Sequence, residues 1–83
     1  RLAAEQGDTI AKRILGDIHK EGRGVPQNYT LAHMWYNIAA ANGFKYAGTN
    51  RDDLSKKMTS AAIEKAQAMA RECMNSDYTK CGY

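Results

Sequence analysis

No apolar run in this chain approaches the roughly 20 residues that a membrane-spanning helix needs. The longest, Ile38–Ala41, has four, so no membrane insertion is expected. Proline occurs once, at Pro26, so helices are free to form nearly everywhere else. Only two histidines, His19 and His33, and two cysteines, Cys73 and Cys81, are present. A metal site needs three or four convergent ligands, so no metal is expected, and both histidines read as structural or surface residues. Ser55, Ser60 and Ser76 lack a G-x-S-x-G context. There is no P-loop and no G-x-G-x-x-G. The acidic pair Asp52-Asp53 reads as a solvated part of a helix. No enzyme and no cofactor are therefore expected.

Neither sign of charge is concentrated. Twelve Lys/Arg against nine Asp/Glu give a net +3, and most basic residues have an acid nearby. A nucleic-acid interface needs a basic stripe, so no nucleic-acid partner is expected. The composition, 43% hydrophobic and 25% charged, lies within the globular range and argues against disorder. Eighty-three residues allow one small domain. The chain opens at Arg1-Leu2-Ala3-Ala4 without an initiator Met or a signal-peptide pattern. We read it as a processed product, or a piece of a longer chain, whose targeting segment lies elsewhere.

An internal repeat is visible. Ala3-Ala4-Glu5-Gln6-Gly7-Asp8-Thr9-Ile10-Ala11 aligns with Ala39-Ala40-Ala41-Asn42-Gly43-Phe44-Lys45-Tyr46-Ala47. Both read A-A-x-x-G-x-x-x-A, about 36 residues apart, a period that suits a pair of helices. The first helix is expected over about Thr9–Glu21, capped by Asp8 and ended by Gly22. Its apolar stripe is Ile10, Ala11, Ile14, Leu15 and Ile18, continued by His19. The segment 22–27 is a turn, with two glycines and Pro26. Asn28 then caps a second helix over about Tyr29–Asn42, ended by Gly43, with Ala32, Trp35, Tyr36, Ala39 and Ala40 on its inner face. A third helix is expected over about Lys45–Lys57, with Tyr46, Ala47, Leu54 and Met58 as its apolar residues. Thr59 caps a fourth over about Ser60–Met74, with Ile63, Ala66, Met69, Ala70 and Cys73 on one side. The 36-residue shift puts polar Asn50 and Arg51 where the first helix carries its apolar stripe, as suits the end of a stack. The expected fold is all-α, an α-solenoid fragment of antiparallel helical hairpins with about four helices.

Ala11, Leu15-Gly16, Gly22-x-Gly24-Val25-Pro26, Ala32, Trp35-Tyr36, Ala39-Ala40, Gly43 and Ala47 together resemble the Sel1-like repeat, a relative of the tetratricopeptide repeat. His19 stands where that family usually has Tyr, and Asn28 where Asp is common. On this reading 1–8 end a preceding repeat, 9–44 form a complete repeat, 45–74 form a C-terminal capping hairpin and 75–83 are a tail. Small Gly16 and Ala32 let the first two helices approach closely. Trp35 and Tyr36 then fill the seam, and Trp35→Ala should cost roughly 3–5 kcal/mol.

The resemblance implies a protein–protein interaction scaffold that holds a peptide or partner helix on its concave face. Matching the tetratricopeptide pattern aims Arg13, Asp17, Lys20 and Glu21 at that face, and the repeat shift adds Thr49, Asp53, Lys56 and Lys57. So small a surface also invites homodimerisation, through the first helix or the Ala3–Gly7 edge. A purely structural end-cap of a longer array is a further reading. Cys73 and Cys81 are open to three readings: a disulfide pinning the tail, free thiols, or a metal pair. We carry the disulfide forward, and it would favour a periplasmic or secreted location. Paired cysteines also resemble those of secreted Sel1 proteins, some associated with β-lactam binding. The alternative function is therefore a secreted binder of a small molecule or cell-wall fragment.

Overall fold

A computed structural model describes the backbone of residues 2–76 and Cys81, and the side chains of 10–76 and Cys81. Among the described residues four helices follow one another: α1 (Leu2–Glu21), α2 (Tyr29–Ala41), α3 (Lys45–Ser55) and α4 (Ser60–Asn75). Among the described residues no strand occurs, so the architecture is the all-α fragment of helical hairpins that the repeat implied.

The boundaries follow from capping chemistry. The amides of Gly22 and Arg23 both reach back to the Ile18 carbonyl, at 2.8 and 3.1 Å. Gly22 makes this possible by adopting φ +72°. Two further α1 carbonyls are taken up by the turn: Asn28 N donates to His19 O and Gln27 Nε2 donates to Lys20 O, both at 2.9 Å. Asn28 then accepts from the Leu31 amide at 3.0 Å and opens α2. At the far end of α2, Phe44 N reaches Ala39 O and Gly43 N reaches Ala40 O, the paired bonds of a Schellman turn. Gly43 sits at φ +100° there. Thr59 Oγ1 accepts from Ala62 N at 3.1 Å and opens α4.

One boundary differs from expectation. Asp8 does not cap a helix starting at Thr9, because α1 runs unbroken from Leu2. Gly7 inside a helix costs only about 1 kcal/mol relative to Ala. That is too little to break a helix with no proline to stop it. The side chains of the Ala3–Gly7 edge, and residues 77–80, 82 and 83 of the tail, lie outside the described residues.

The centre of the fold is α2. It packs against α1, α3 and α4 in turn, and Ala32, His33, Met34, Trp35, Tyr36, Ile38 and Ala39 are all buried. A helix apolar on every side belongs in the interior. The one-sided face expected for α2 was therefore too narrow: His33, Met34 and Ile38 join it, while Ala40 is only half-buried. Toward α4, Met34, Trp35 and Ile38 pack with Ala70, Cys73 and Cys81. The cysteines form a disulfide, and Cys81 is held inside this cluster. Toward α3, Ala32 and Tyr36 pack with Leu54, flanked by Tyr29 and Met58.

Four apolar assignments reverse. Tyr46 is 73% exposed rather than turned inward, Ile10 and Ile14 are each 43% exposed, and Ala11 is exposed as well. The α1 stripe is wider than the strip α2 covers, so its outer edge stays in water.

Candidate functional site

The eight polar residues singled out on α1 and around α3 separate into three settings. Arg13 and Asp17 belong to an internal network. Gly16 presents bare backbone to Tyr36: a Cβ built there would lie 2.5 Å from Cε1 of that ring. The close approach carries the Tyr36 hydroxyl across to α1, where it donates to Asp17 Oδ1. Asp17 Oδ2 accepts from Arg13 Nη1 at 2.7 Å. The guanidinium in turn sits 5.7 Å from the centroid of the Phe44 ring. Burial, followed by the hydrogen bond to Asp17, holds the Tyr36 phenol far above its ordinary pKa of 10.0. This phenol is a proton donor to a carboxylate and serves to lock α1 to α2.

Glu21 is exposed at the hairpin turn and pairs with Arg23 at 2.7 Å. Thr49 is exposed on α3.

Lys20, Asp53 and Lys57 come together. With Asn50 and Leu54 they line a depression of about 80 Å³. Leu54 is 2% exposed, so it forms an apolar floor. Asp53 lies 3.9 Å from Lys56, an exposed i,i+3 pair. No carboxylate among the described residues pairs with Lys20 or Lys57. Asn50 and Leu54 were not read as site residues. Asn50 lies one helical turn before Asp53 on the same face of α3, and that spacing was the available signal.

Arg13 of α1 lies over Phe44, just before α3. Lys20 of α1 meets residues 50–57 at the far end of α3. The two helices therefore run side by side in the same direction. Their shared face carries aromatic rings at one end and ammonium groups at the other.

Behind that face, polar bonds fix α3. Ser55 Oγ donates to Arg51 O at 2.9 Å, so its oxygen is left to accept from His33 Nε2–H, also at 2.9 Å. The other ring nitrogen, Nδ1, is buried without a protein partner. Burial first, and the Arg51 charge second, lower the His33 pKa below its ordinary 6.5. Arg51 Nη1 donates to Asn37 Oδ1 at 3.0 Å. Arg51 is thus a link from α3 to α2.

Among the described residues no group of three or more His, Cys, Asp or Glu is arranged to hold a metal ion, and no helix is long and apolar enough to cross a membrane. The chain matched no curated protein and no solved structure. The family model of the Sel1 repeat does match, over residues 9–44. That span takes in the part of α1 beside α2, the glycine turn, α2 and its Schellman ending. Gly16 seated against Tyr36, the turn at Gly22 and Gly24, and buried Trp35 are the features that carried the sequence resemblance, and all lie within the segment from Thr9 to Phe44 that the Sel1 repeat model matches.

Proposed function

We propose that the face shared by α1 and α3 binds a partner protein, as an extended peptide or a helix. Sel1 repeats generally mediate protein–protein interactions, and proteins built from them are typically non-enzymatic scaffolds. The observation that carries the reading is the convergence of Lys20, from α1, with Asp53 and Lys57, from α3 and just after it, around one depression. Residues far apart in sequence supply charge of both signs around an apolar floor, which suits a peptide with polar and apolar side chains. The depression itself accommodates a side-chain terminus. It is far smaller than the several hundred Å³ of a typical small-molecule site.

Arg13 and Asp17 act here mainly by shaping the wall, since each is engaged within the chain. Glu21, Thr49, Asp53, Lys56 and Lys57 are exposed and available to a partner.

The test is site-specific photocrosslinking in the native cell. A benzophenone side chain replacing exposed Thr49 should give discrete protein adducts. The same group at exposed Glu64, on α4, should give none of them. Adducts from position 64 with none from position 49 would sink the reading.

A further inference from the structure

We infer that this face selects an acidic segment of extended peptide, with a carboxylate side chain in the Lys20–Lys57 depression and an apolar side chain about four residues away against Tyr46. The inference rests on the reading of the α1–α3 face as a binding surface, and adds what that surface recognises.

Charge decides the first part. Around the depression Asp53 is opposed by Lys56 at 3.9 Å, and Glu21 by Arg23 at 2.7 Å. Lys20 and Lys57 remain as ammonium groups that pair with no carboxylate among the described residues. Both α1 and α3 end here, and a helix C-terminus carries roughly half a negative charge. Two such ends oppose an incoming anion with about one charge in all, against two full positive charges. A carboxylate is therefore favoured over a cation. Leu54 beneath it takes the methylene stem, so the fit is to a side chain and not to a bare anion.

Spacing decides the second part. Tyr46 lies on the same face of α3 as Asn50 and Asp53, by the i, i+4, i+7 rule. Its ring is 73% exposed, and Phe44 supports it edge-on at 5.9 Å. Eight residues of helix separate Tyr46 from Leu54, about 12 Å. An extended peptide covers that distance in about four residues. Tyr46 is an exposed aromatic with no fold-stabilising burial to explain it, and it stands at the distance where such a peptide's next anchor would fall.

The experiment is a titration of ¹⁵N-labelled full chain with Ac-Ser-Leu-Ser-Gly-Ser-Glu-Ser-Gly-NH₂, followed by amide shifts. Shifts should centre on Tyr46, Asn50, Leu54 and Lys20. Changing the peptide Glu to Gln should weaken binding about fivefold, the factor that corresponds to one well-placed ion pair. Changing Leu to Ser, or placing Leu next to Glu, should weaken it comparably. In the protein, Lys20→Glu with Lys57→Glu should abolish the preference for Glu over Gln, whereas Asp53→Asn should strengthen binding by removing a repelling carboxylate. All three positions lie on the surface, and circular dichroism confirms that each variant is folded. Equal affinity for the Glu and Gln peptides, preference for a Lys peptide, or weaker binding by Asp53→Asn overturns the inference but leaves a protein-binding face in place. Shifts confined to other surfaces overturn it too, and if position 49 also gives no crosslinks the broader reading fails with it.

Discussion

Replacing Gly16 by alanine should destabilise this protein, although alanine is the better helix former. Gly16 lies inside α1, where the exchange would ordinarily gain about 1 kcal/mol. Here the new methyl would lie 2.5 and 2.6 Å from Cε1 and Cδ1 of Tyr36 and 3.1 Å from Cγ. These are ring atoms, not the loose end of a flexible chain. Tyr36 is fully buried, so the ring cannot swing aside, and α1 must retreat from α2. Overpacking of this kind costs roughly 1–3 kcal/mol. Retreat also stretches the hydrogen bond from the Tyr36 hydroxyl to Asp17, and a bond to a charged group contributes about 1.5–3 kcal/mol. Less the propensity gain, the net loss is about 1.5–5 kcal/mol. For a chain of this size total stability is roughly 4–12 kcal/mol, so over most of that range the protein stays folded at 25 °C.

Urea denaturation followed at 222 nm reads the loss directly. The companion variant Tyr36→Phe isolates the hydroxyl. It should cost about 1.5–3 kcal/mol in the native background and clearly less when Gly16→Ala is already present, because the bond is then already weakened. A Gly16→Ala protein as stable as the native one, or losses that simply add, would refute the close-packing argument.

Three further outcomes follow from the same geometry. The Tyr36 phenol is held above its ordinary pKa of 10.0 by burial and then by Asp17; the unfolded chain therefore loses this proton first, and stability should fall as pH rises above about 10, a slope that Tyr36→Phe removes. The His33 pKa is lowered by burial and then by Arg51, so the unfolded chain binds the proton first; stability should decline as pH falls below about 6.5, and urea midpoints of His33→Gln should be flatter over that window. The Cys73–Cys81 disulfide closes a loop of sequence separation 8, which corresponds to about 2.5 kcal/mol of chain entropy; reductant, or Cys81→Ala, should lower stability by at least that much, since Cys81 also fills the cluster around Trp35, and no change in midpoint would contradict its placement there.

The hairpin was legible in the sequence because its ends are fixed by local chemistry. Gly22 and Gly43 take the left-handed angles their positions demand, and the side-chain oxygens of Asn28 and Thr59 accept from helix amides where expected. Gly16 and Trp35 could be assigned to close packing from residue size alone. What surrounds α2 was not legible: period 3.6 marks a buried face, but three neighbours bury α2 all round. The signal missed was the near-continuous apolar run from Leu31 to Tyr36, broken by His33 alone. Gly7-Asp8 misled in the opposite sense, reading as punctuation where the helix continues. In the candidate site, repeat spacing placed Lys20, Asp53 and Lys57 in one set, and the three line one depression. It could not show that Asp17, and Arg13 through it, are engaged within the chain, because that depends on Tyr36, which reaches Asp17 across the α1–α2 seam.

The attachment of α3 explains why its outward face can hold a definite arrangement. Only Ala47 and Leu54 of that helix are buried. Burial of two such residues is not directional, so by itself it would tolerate a helix that rolls or slides on α2. The bonds from His33 to Ser55 and from Arg51 to Asn37 are directional. The first contributes about 0.5–1.5 kcal/mol net and the second, with its charged donor, about 1.5–3 kcal/mol, no more than full burial of a leucine. Rolling α3 by one residue, however, would break both and leave His33 buried with neither ring nitrogen satisfied, a penalty of a further 1–3 kcal/mol or so. Apolar contact therefore holds α3 on α2, while the polar bonds choose its rotation. That rotation turns Asn50 and Asp53 toward Lys20 and leaves Tyr46 outside. Arg51 and Asn50 are adjacent in sequence and divide the work: one points inward to set the helix, and the other lines the surface that the setting creates.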